Sequence, residues 1–258
     1  MRIVSLCPSN TEILACLGLS DHIVGVDRYS DWPPAVRSLP DLGPDLAIDM
    51  DRVAALQPSL IVASLSVPGM ERNVEQLEDL GIPYLVLNPK RLEDIYDDIL
   101  DVGAATNRTA QASQLVHQMK ERIEEVADRC SSQGDTPRLY WEWWPKPVFS
   151  PGGNNWLTDV SEAVSAVNVF ADHPDEKKQT DWEGVVQAAP DYALVVWTGV
   201  PKEKVKVEKI VSRPAWRGQR FSKRDRVHIL EEGLYCRPSP RLLTGIEKLA
   251  QLLYPDIF

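Results

Sequence analysis

The chain has 258 residues, 43% of them hydrophobic and 26% charged, with a formal net charge of −10. That composition is one of a folded, water-soluble protein able to bury one large core or two small ones. The acidic balance argues against a nucleic-acid partner, which needs clustered Lys and Arg, and no run of about 18 apolar residues exists to cross a membrane.

The first residues, Met1-Arg-Ile-Val-Ser-Leu-Cys7, already read as a strand, with no basic region, apolar stretch and cleavage site ahead of them. As given, the chain reads as cytoplasmic; as a mature form it reads as periplasmic or cell-surface. Cys7, Cys16, Cys130 and Cys236 have no CxxC spacing, and the four histidines form no paired-ligand pattern, so no metal site is predicted. Widely separated thiols fit a reducing compartment, with a disulfide left open.

In chain order, Ile3–Leu6 is a short buried strand. Ser9 stands three residues before Glu12, which is capping-box spacing for a helix running to Leu17 and Gly18. Two readings of Ser9 and Asn10 stay open: a simple cap, or a ligand site where a helix begins at a strand's carboxyl end. Ile23–Asp27 is the second strand, followed by the proline-stiffened loop Arg28–Pro34, whose Tyr29 and Trp32 either contact a ligand or pack the loop down. A helix over Asp49–Leu56, a strand over Leu60–Ala63 and a loop from Ser64 to Gly69 follow. Glu71 then starts a helix to Leu80, and Pro83–Leu87 is another strand. Strands alternating with helices at this spacing predict βαβ units.

From Arg91 the pattern is helical, interrupted at Gly103–Asn107, and a long polar helix covers 108–130. Its roughly 23 residues span about 35 Å. Packed against both flanking regions, it would restrict their relative movement more than a flexible linker. After the turn-rich break 131–137, Arg138–Trp144 reads as a strand with Trp141 and Trp143 on one face, and Pro145–Asn155 as a loop. A helix over Trp156–Val167, a buried piece over Asn168–Phe170, a second helix–proline–strand unit ending in Leu194-Val-Val-Trp197-Thr-Gly199, a helix over Glu203–Val211 and a strand at Val227–Leu230 come next. The loop Glu231–Pro240 and the helix Arg241–Leu253 close the chain. The basic stretch Arg217–Arg226 reads as a solvated loop.

One pattern occurs twice. Asp49-Met-Asp through Pro58 into Ser-Leu-Ile-Val62, and Asp181-Trp-Glu through Pro190 into Asp-Tyr-Ala-Leu-Val-Val196, both read acid, any, acid, amphipathic helix, proline, buried strand. Thirteen residues past each proline stands a glutamate, Glu71 and Glu203. The expected fold is α/β: two Rossmann-like lobes with mainly parallel sheets, joined by one long backbone α-helix, with a cleft between the lobes. The expected bounds are 1–90, a linking helical segment 91–133, and 134–258.

No catalytic motif such as GxSxG, GxxxxGK[ST] or GxGxxG occurs, and Gly152-Gly153 alone is weak, so no catalytic residue or cofactor is predicted. Aromatics do gather at strand-end loops: Tyr29 and Trp32 in the first half; Trp143, Trp144, Phe149, Trp197 and Tyr235 in the second. Each buries about 150–250 Å², on the order of 4–6 kcal/mol as an upper bound, enough for several to hold a large apolar ligand.

Cys7-Pro-Ser-Asn-Thr-Glu-Ile-Leu14, Tyr29-Ser-Asp-Trp-Pro-Pro34, Val53-x4-Pro58-Ser-Leu-Ile-Val62, Glu71-Arg-Asn-Val-Glu-Gln-Leu77 and Ser239-Pro-Arg241 carry a family likeness. They resemble the cobalamin-binding proteins of bacterial ABC importers, within the helical-backbone substrate-binding proteins that also capture haem and iron–siderophores. The resemblance implies a non-enzymatic, monomeric protein holding a corrinoid, cobalamin or cobinamide, as ligand rather than cofactor. It also implies a glutamate on each lobe, Glu71 and Glu203, docking onto arginines of a membrane permease. Tyr29 and Arg237 fall on ligand-side positions, and Ser9, Asn10 and Ser64 join them as candidate contacts. A tryptophan that the family carries near Ser64-Leu65 and an acidic residue near Gly233 are absent here. Two rival readings remain: a carrier of haem or an iron–siderophore, which asks for basic groups such as Arg28 and Arg237, and an enzyme acting on a corrinoid or nucleotide-like substrate.

Overall fold

Two arginines show how the chain folds twice on one plan. In the computed structural model, which describes residues 1–134 and 136–258, Arg2 donates from Nε and Nη2 to the carbonyl of Leu56 at 3.0 and 2.7 Å. Arg138 donates to the carbonyls of Ala189 and Ala188 at 3.2 and 3.0 Å. Each guanidinium sits just ahead of or at the start of a strand and closes the free carbonyls of a helix end, where positive charge is favourable. The helices they close are α2 (Met50–Ala55) and α7 (Trp182–Gln187). Both begin with an aspartate whose side chain accepts from the first turn, Asp49 from Arg52 N at 3.1 Å and Asp181 from Gly184 N at 2.7 Å. Both end on a residue of positive φ before the proline, Gln57 at 47° and Ala189 at 46°.

The chain divides into two compact units, residues 1–89 with 93–119 and 238–240, and residues 90–92 with 120–237 and 241–258. In the first, β1 (Ile3–Ser5), β2 (Ile23–Val26), β3 (Leu60–Ser64) and β4 (Tyr84–Leu87) form a parallel sheet in the order β2-β1-β3-β4. In the second, β5 (Arg138–Glu142), β8 (Val167–Asn168), β10 (Tyr192–Val195) and β11 (Val227–Ile229) are parallel in the order β11-β10-β5-β8. Read from the other edge, the second order repeats the first. Strands buried on both faces explain the near-continuous apolar runs at 60–63 and 193–196.

Helix α1 (Pro8–Cys16) follows β1, and α3 (Glu71–Leu80) lies between β3 and β4. Helix α4 (Leu92–Ala105) runs straight through Gly103 rather than stopping there; the glycine lets the next helix approach closely, since a side chain at 103 would collide with Ala112 Cβ. That helix, α5 (Thr109–Ser131), carries Ala112, Val116, Met119, Val126 and Cys130 on its buried side. Its first eleven residues belong to the first unit and its remaining twelve to the second. In the second unit α6 (Trp156–Ala163), α8 (Val207–Val211), α9 (Glu232–Tyr235) and α10 (Leu242–Leu253) complete the helices.

Several expectations need correction. Ser9 is no cap: Cys7 is the N-cap, Pro8 takes the first helical turn, and Glu12 is buried with its carboxylate accepting from Ser239 Oγ at 2.5 Å. The stretch 145–155 is not all loop. β6 (Trp144–Pro145) and β7 (Val148–Pro151) pair as an antiparallel hairpin, and β9 (Lys177–Thr180) adds a third strand. Trp141 and Trp143 do not share one strand face, since β5 ends at Glu142; Trp141 is fully buried with its indole N–H on Ser161 Oγ at 2.9 Å. Glu203 lies in a short 3₁₀ turn, Lys202–Lys204, and α8 starts only at Val207. Residues 232–235, expected as loop, form α9.

Candidate ligand-binding site

The second sheet reverses its direction of growth beside β5: β8 was added on one side and β10 on the other. Open parallel sheets bind ligands at the carboxyl ends of strands flanking such a point. Here those ends carry Glu142, the last residue of β5, and Trp197, two residues beyond β10.

Glu142 has no exposed surface, and a bare carboxylate there would be very costly. Four side-chain hydrogen bonds satisfy it. Arg213 donates from Nη1 to Oε2 at 2.5 Å and from Nη2 to Oε1 at 2.7 Å. Tyr140 O–H donates to Oε2 at 2.7 Å, and Trp197 Nε1–H donates to Oε1 at 3.0 Å. Burial and the adjacent carboxylate push the Tyr140 phenol well above its ordinary pKa, so it remains a donor. The Arg213 guanidinium lies 4.4 Å from the Trp216 ring centroid and 4.9 Å from that of Trp182. The network therefore anchors one edge of the Trp197 indole and leaves the rest of that ring half-buried.

Trp197 packs against Trp144, with ring centroids 6.4 Å apart at 55°. Trp144 is 43% exposed and opens β6. Its cross-strand partner is Phe149, whose partner in turn is Gln179. Directly paired residues of an antiparallel sheet project to one side, so Trp144, Phe149 and Gln179 share a face. The opposite face carries Val148 and Ser150, both buried. Strand alternation thus yields one buried side and one aromatic side (Trp144, Phe149 and the adjoining Trp197). Trp143 joins β5 to this sheet, its N–H on Phe149 O at 2.8 Å, while its indole N–H is buried without a protein acceptor.

Gly152-Gly153 holds the sheet's end in place. Their N–H groups donate to Glu176 O at 3.0 Å and His173 O at 2.7 Å, and a side chain at either would strike the backbone of 171–175. This glycine pair is a close-approach device, not a phosphate loop. Arg91 pins the same turn, donating to Gly153 O at 2.6 Å and to the carboxylate of Asp159.

In the first unit the corresponding strand ends are filled by a chain of buried hydroxyls. Ser5, Thr11 and Ser30 are linked at 2.7 Å each, and Ser30 Oγ donates to Asp27 Oδ1 at 2.5 Å. Asp27 Oδ2 accepts from Tyr29 N at 2.8 Å, which fixes the loop backbone under an exposed Tyr29 ring, 52% accessible. Trp32 is half-buried. Ser9, Asn10 and Ser64 are buried: Asn10 Nδ2 donates to Val62 O at 3.1 Å, Ser64 bonds Ser66 at 2.8 Å, and Ser9 bonds Cys7 at 3.3 Å.

Of the expected contacts, Tyr29, Trp32, Trp143, Trp144, Phe149 and Trp197 thus keep accessible surface. Tyr235 does not. Its hydroxyl donates to Gly245 O at 2.8 Å, its carbonyl accepts from Trp156 Nε1 at 2.8 Å, and only 2% of it is exposed. Arg237 is largely buried and lies 3.3 Å from Glu232. Glu71 and Glu203 are both exposed. Residues 142, 213, 177 and 179 were not singled out by sequence. An isolated acid at a strand end and an all-polar Lys-Lys-Gln-Thr stretch carry no motif and no apolar alternation that would mark a strand. Among the described residues no group of three or more His, Cys, Asp or Glu side chains is arranged to hold a metal ion, and no disulfide joins any of the four cysteines.

The family model described as "Periplasmic binding protein" matches residues 3–233. The chain belongs to that family. It is 31% identical over its whole length to an uncharacterized ABC transporter substrate-binding lipoprotein of Bacillus subtilis, covering 81% of it. It is 28% identical to a vitamin B12-binding protein of Yersinia pestis, over 97% of this chain and 85% of that one. Among solved structures, the periplasmic vitamin B12 binding protein of Vibrio cholerae superposes with a TM-score of 0.80 at 25% identity, covering 98% and 96% of the two chains. A periplasmic haem-binding protein of Roseiflexus superposes at 0.85 with 24% identity, covering 100% and 99%, and shows the fold alone. Family members of this kind serve ABC importers by binding small molecules and meeting a permease, and the two-lobed α/β architecture is theirs.

Removing one partner of a buried ion pair leaves the other charge uncompensated. Arg213→Ala is therefore expected to lower stability by about 3–5 kcal/mol in urea unfolding. The paired replacement Glu142→Leu with Arg213→Met should cost much less, yet still shift the Trp197 fluorescence by freeing its N–H. Equal cost for the single and paired variants would contradict this account of the network.

Proposed function

We propose that this protein captures a corrinoid, cobalamin or cobinamide, for an ABC importer and holds it without chemical change. The observation that carries the reading is the exposed aromatic face of the second unit, Trp144 and Phe149 with Trp197 tethered to Glu142. A flat, mostly apolar macrocycle suits such a face, because large aromatic side chains offer area at low conformational cost. The orphaned indole N–H of Trp143 adds a donor beside it. Tyr29 and Trp32 are proposed as further contacts from the first unit. The vitamin B12-binding relatives point to the same ligand class. The haem-binding neighbour shows that one fold serves other macrocycles, so haem is the reading to test beside it. Reading the chain as an enzyme finds no support in the family.

The relatives are lipoproteins or periplasmic proteins, which supports an extracytoplasmic place of work; the cytoplasmic expectation gains nothing from them. Among the described residues no helix is long and apolar enough to cross a membrane.

Titration with cyanocobalamin and dicyanocobinamide, followed by calorimetry and tryptophan fluorescence, tests the reading. Binding is expected, and Trp144→Ala and Trp197→Ala should each weaken it by at least about tenfold. Absence of binding to both corrinoids, with tight binding of hemin, would replace the corrinoid by haem.

Glu71 and Glu203 are proposed to meet the permease. Both are exposed. Glu71→Ala with Glu203→Ala is expected to keep ligand affinity unchanged while abolishing uptake in cells supplied with the cognate permease. Lost affinity, or undiminished uptake, would show the pair misassigned.

A further inference from the structure

The aromatic face carries one charged residue. Along β9 the side chains alternate, so Lys177 falls on the same side as Gln179, while Lys178 falls on the other side opposite Ser150. The placement is borne out by contact, since Lys177 Nζ lies 5.8 Å from the centroid of the Phe149 ring. Lys177 is exposed. The nearest acid in sequence, Glu176, is already held by Lys90 at 2.8 Å. The acid within the wall behind the face, Glu142, is buried and neutralised by Arg213. A ring face attracts a cation but does not cancel its charge. An aromatic platform therefore ends in an ammonium group that pairs with no carboxylate among the described residues, in a chain whose net charge is −10.

We infer that Lys177 forms an oxyanion subsite at the rim of this face, pairing with a phosphodiester or carboxylate carried at the edge of the ligand while the ligand's flat part lies on Trp144, Phe149 and Trp197. The inference rests on the reading of that face as the ligand site and adds which ligands it prefers. A complete cobalamin carries a phosphodiester in its nucleotide loop. Cobinamide has amide side chains and lacks that loop, and haem carries two propionates. The subsite thus favours cobalamin over cobinamide, and it would serve haem through its carboxylates. Gln179, on the same face of the same strand, offers a neutral donor and acceptor that suits amide substituents of either corrinoid.

The experiment is calorimetric titration of the full chain and of Lys177→Gln and Lys177→Arg with cyanocobalamin, dicyanocobinamide and hemin. Lys177 is on the surface, so neither variant should alter the thermal unfolding midpoint. Lys177→Gln should weaken cyanocobalamin by about fivefold in dilute buffer, as exposed ion pairs do. That loss should fade at about 1 M salt, where screening is nearly complete. Lys177→Arg should retain wild-type affinity, and dicyanocobinamide should bind all three proteins alike. Equal losses for both corrinoids, or no loss for cyanocobalamin, would overturn the subsite. If the unmodified protein binds neither corrinoid, the corrinoid reading falls by itself, and hemin decides: a salt-sensitive loss with Lys177→Gln sustains the subsite, whereas unchanged hemin binding or none ends it.

Discussion

A buried carboxylate can persist only if its charge is met, and in this protein meeting it places the Trp197 ring. Glu142 closes β5 in a region without water access, and the bidentate Arg213 leaves its oxygens room for two further donors. Those donors are Tyr140, which ties the network into the core with Trp216 and Phe221, and Trp197, which is half-buried against the same core and also packs on Trp144. Buried pairs of this sort are weak contributors to net stability, because desolvation offsets most of the attraction. Their effect here is directional. An indole with its N–H committed cannot rotate away from Trp144, so the platform exists before any ligand arrives, and binding then costs less ordering.

The two units share a topology, yet their strand ends differ. In the first, the end of β1 and the start of α1 are packed with hydroxyls and a buried aspartate, all bonded among themselves. Such a network rigidifies the loop carrying Tyr29 but leaves no free polar group to offer. In the second, three strands are inserted after β5, and they create a face the first unit lacks. The internal repeat therefore accounts for the scaffold, whereas the aromatic face of Trp144 and Phe149 lies in the part that is not repeated. This agrees with the general separation between folds and the sites built on them.

What could be read from sequence follows the same line. The repeat was legible because each feature is local: an aspartate three residues before the N–H it accepts, a helix of six residues, a proline, and an apolar strand. The arginines at 2 and 138 belong to the repeat too, but their partners lie 50 or more residues away, so no window of sequence connects them. The antiparallel sheet was missed since Pro145, Pro147, Pro151 and two glycines all signal turns. Its pairing with 177–180 bridges nearly 30 residues, and Pro145 is tolerated on an edge strand. Tyr235 and Trp197 are equivalent as letters in a strand-end loop. Only packing separates them: Tyr235 bonds to Gly245 and is covered by Trp141 at 5.6 Å between centroids. Ser9 had the spacing of a cap, but the helix starts at Pro8 with Cys7 as its N-cap, two residues earlier, which turns a boundary residue into an interior one.

The central claim is that the rings of Trp144 and Trp197 receive the ligand while the buried indoles of Trp141 and Trp216 stay within the fold. The most direct measurement is the ¹⁵N–¹H indole spectrum, which reports all eight tryptophans separately, recorded with and without saturating cyanocobalamin. The account predicts large shifts for Trp143, Trp144 and Trp197, and unmoved signals for Trp141 and Trp216, which have no exposed surface. Saturation that leaves Trp144 and Trp197 unmoved would contradict it.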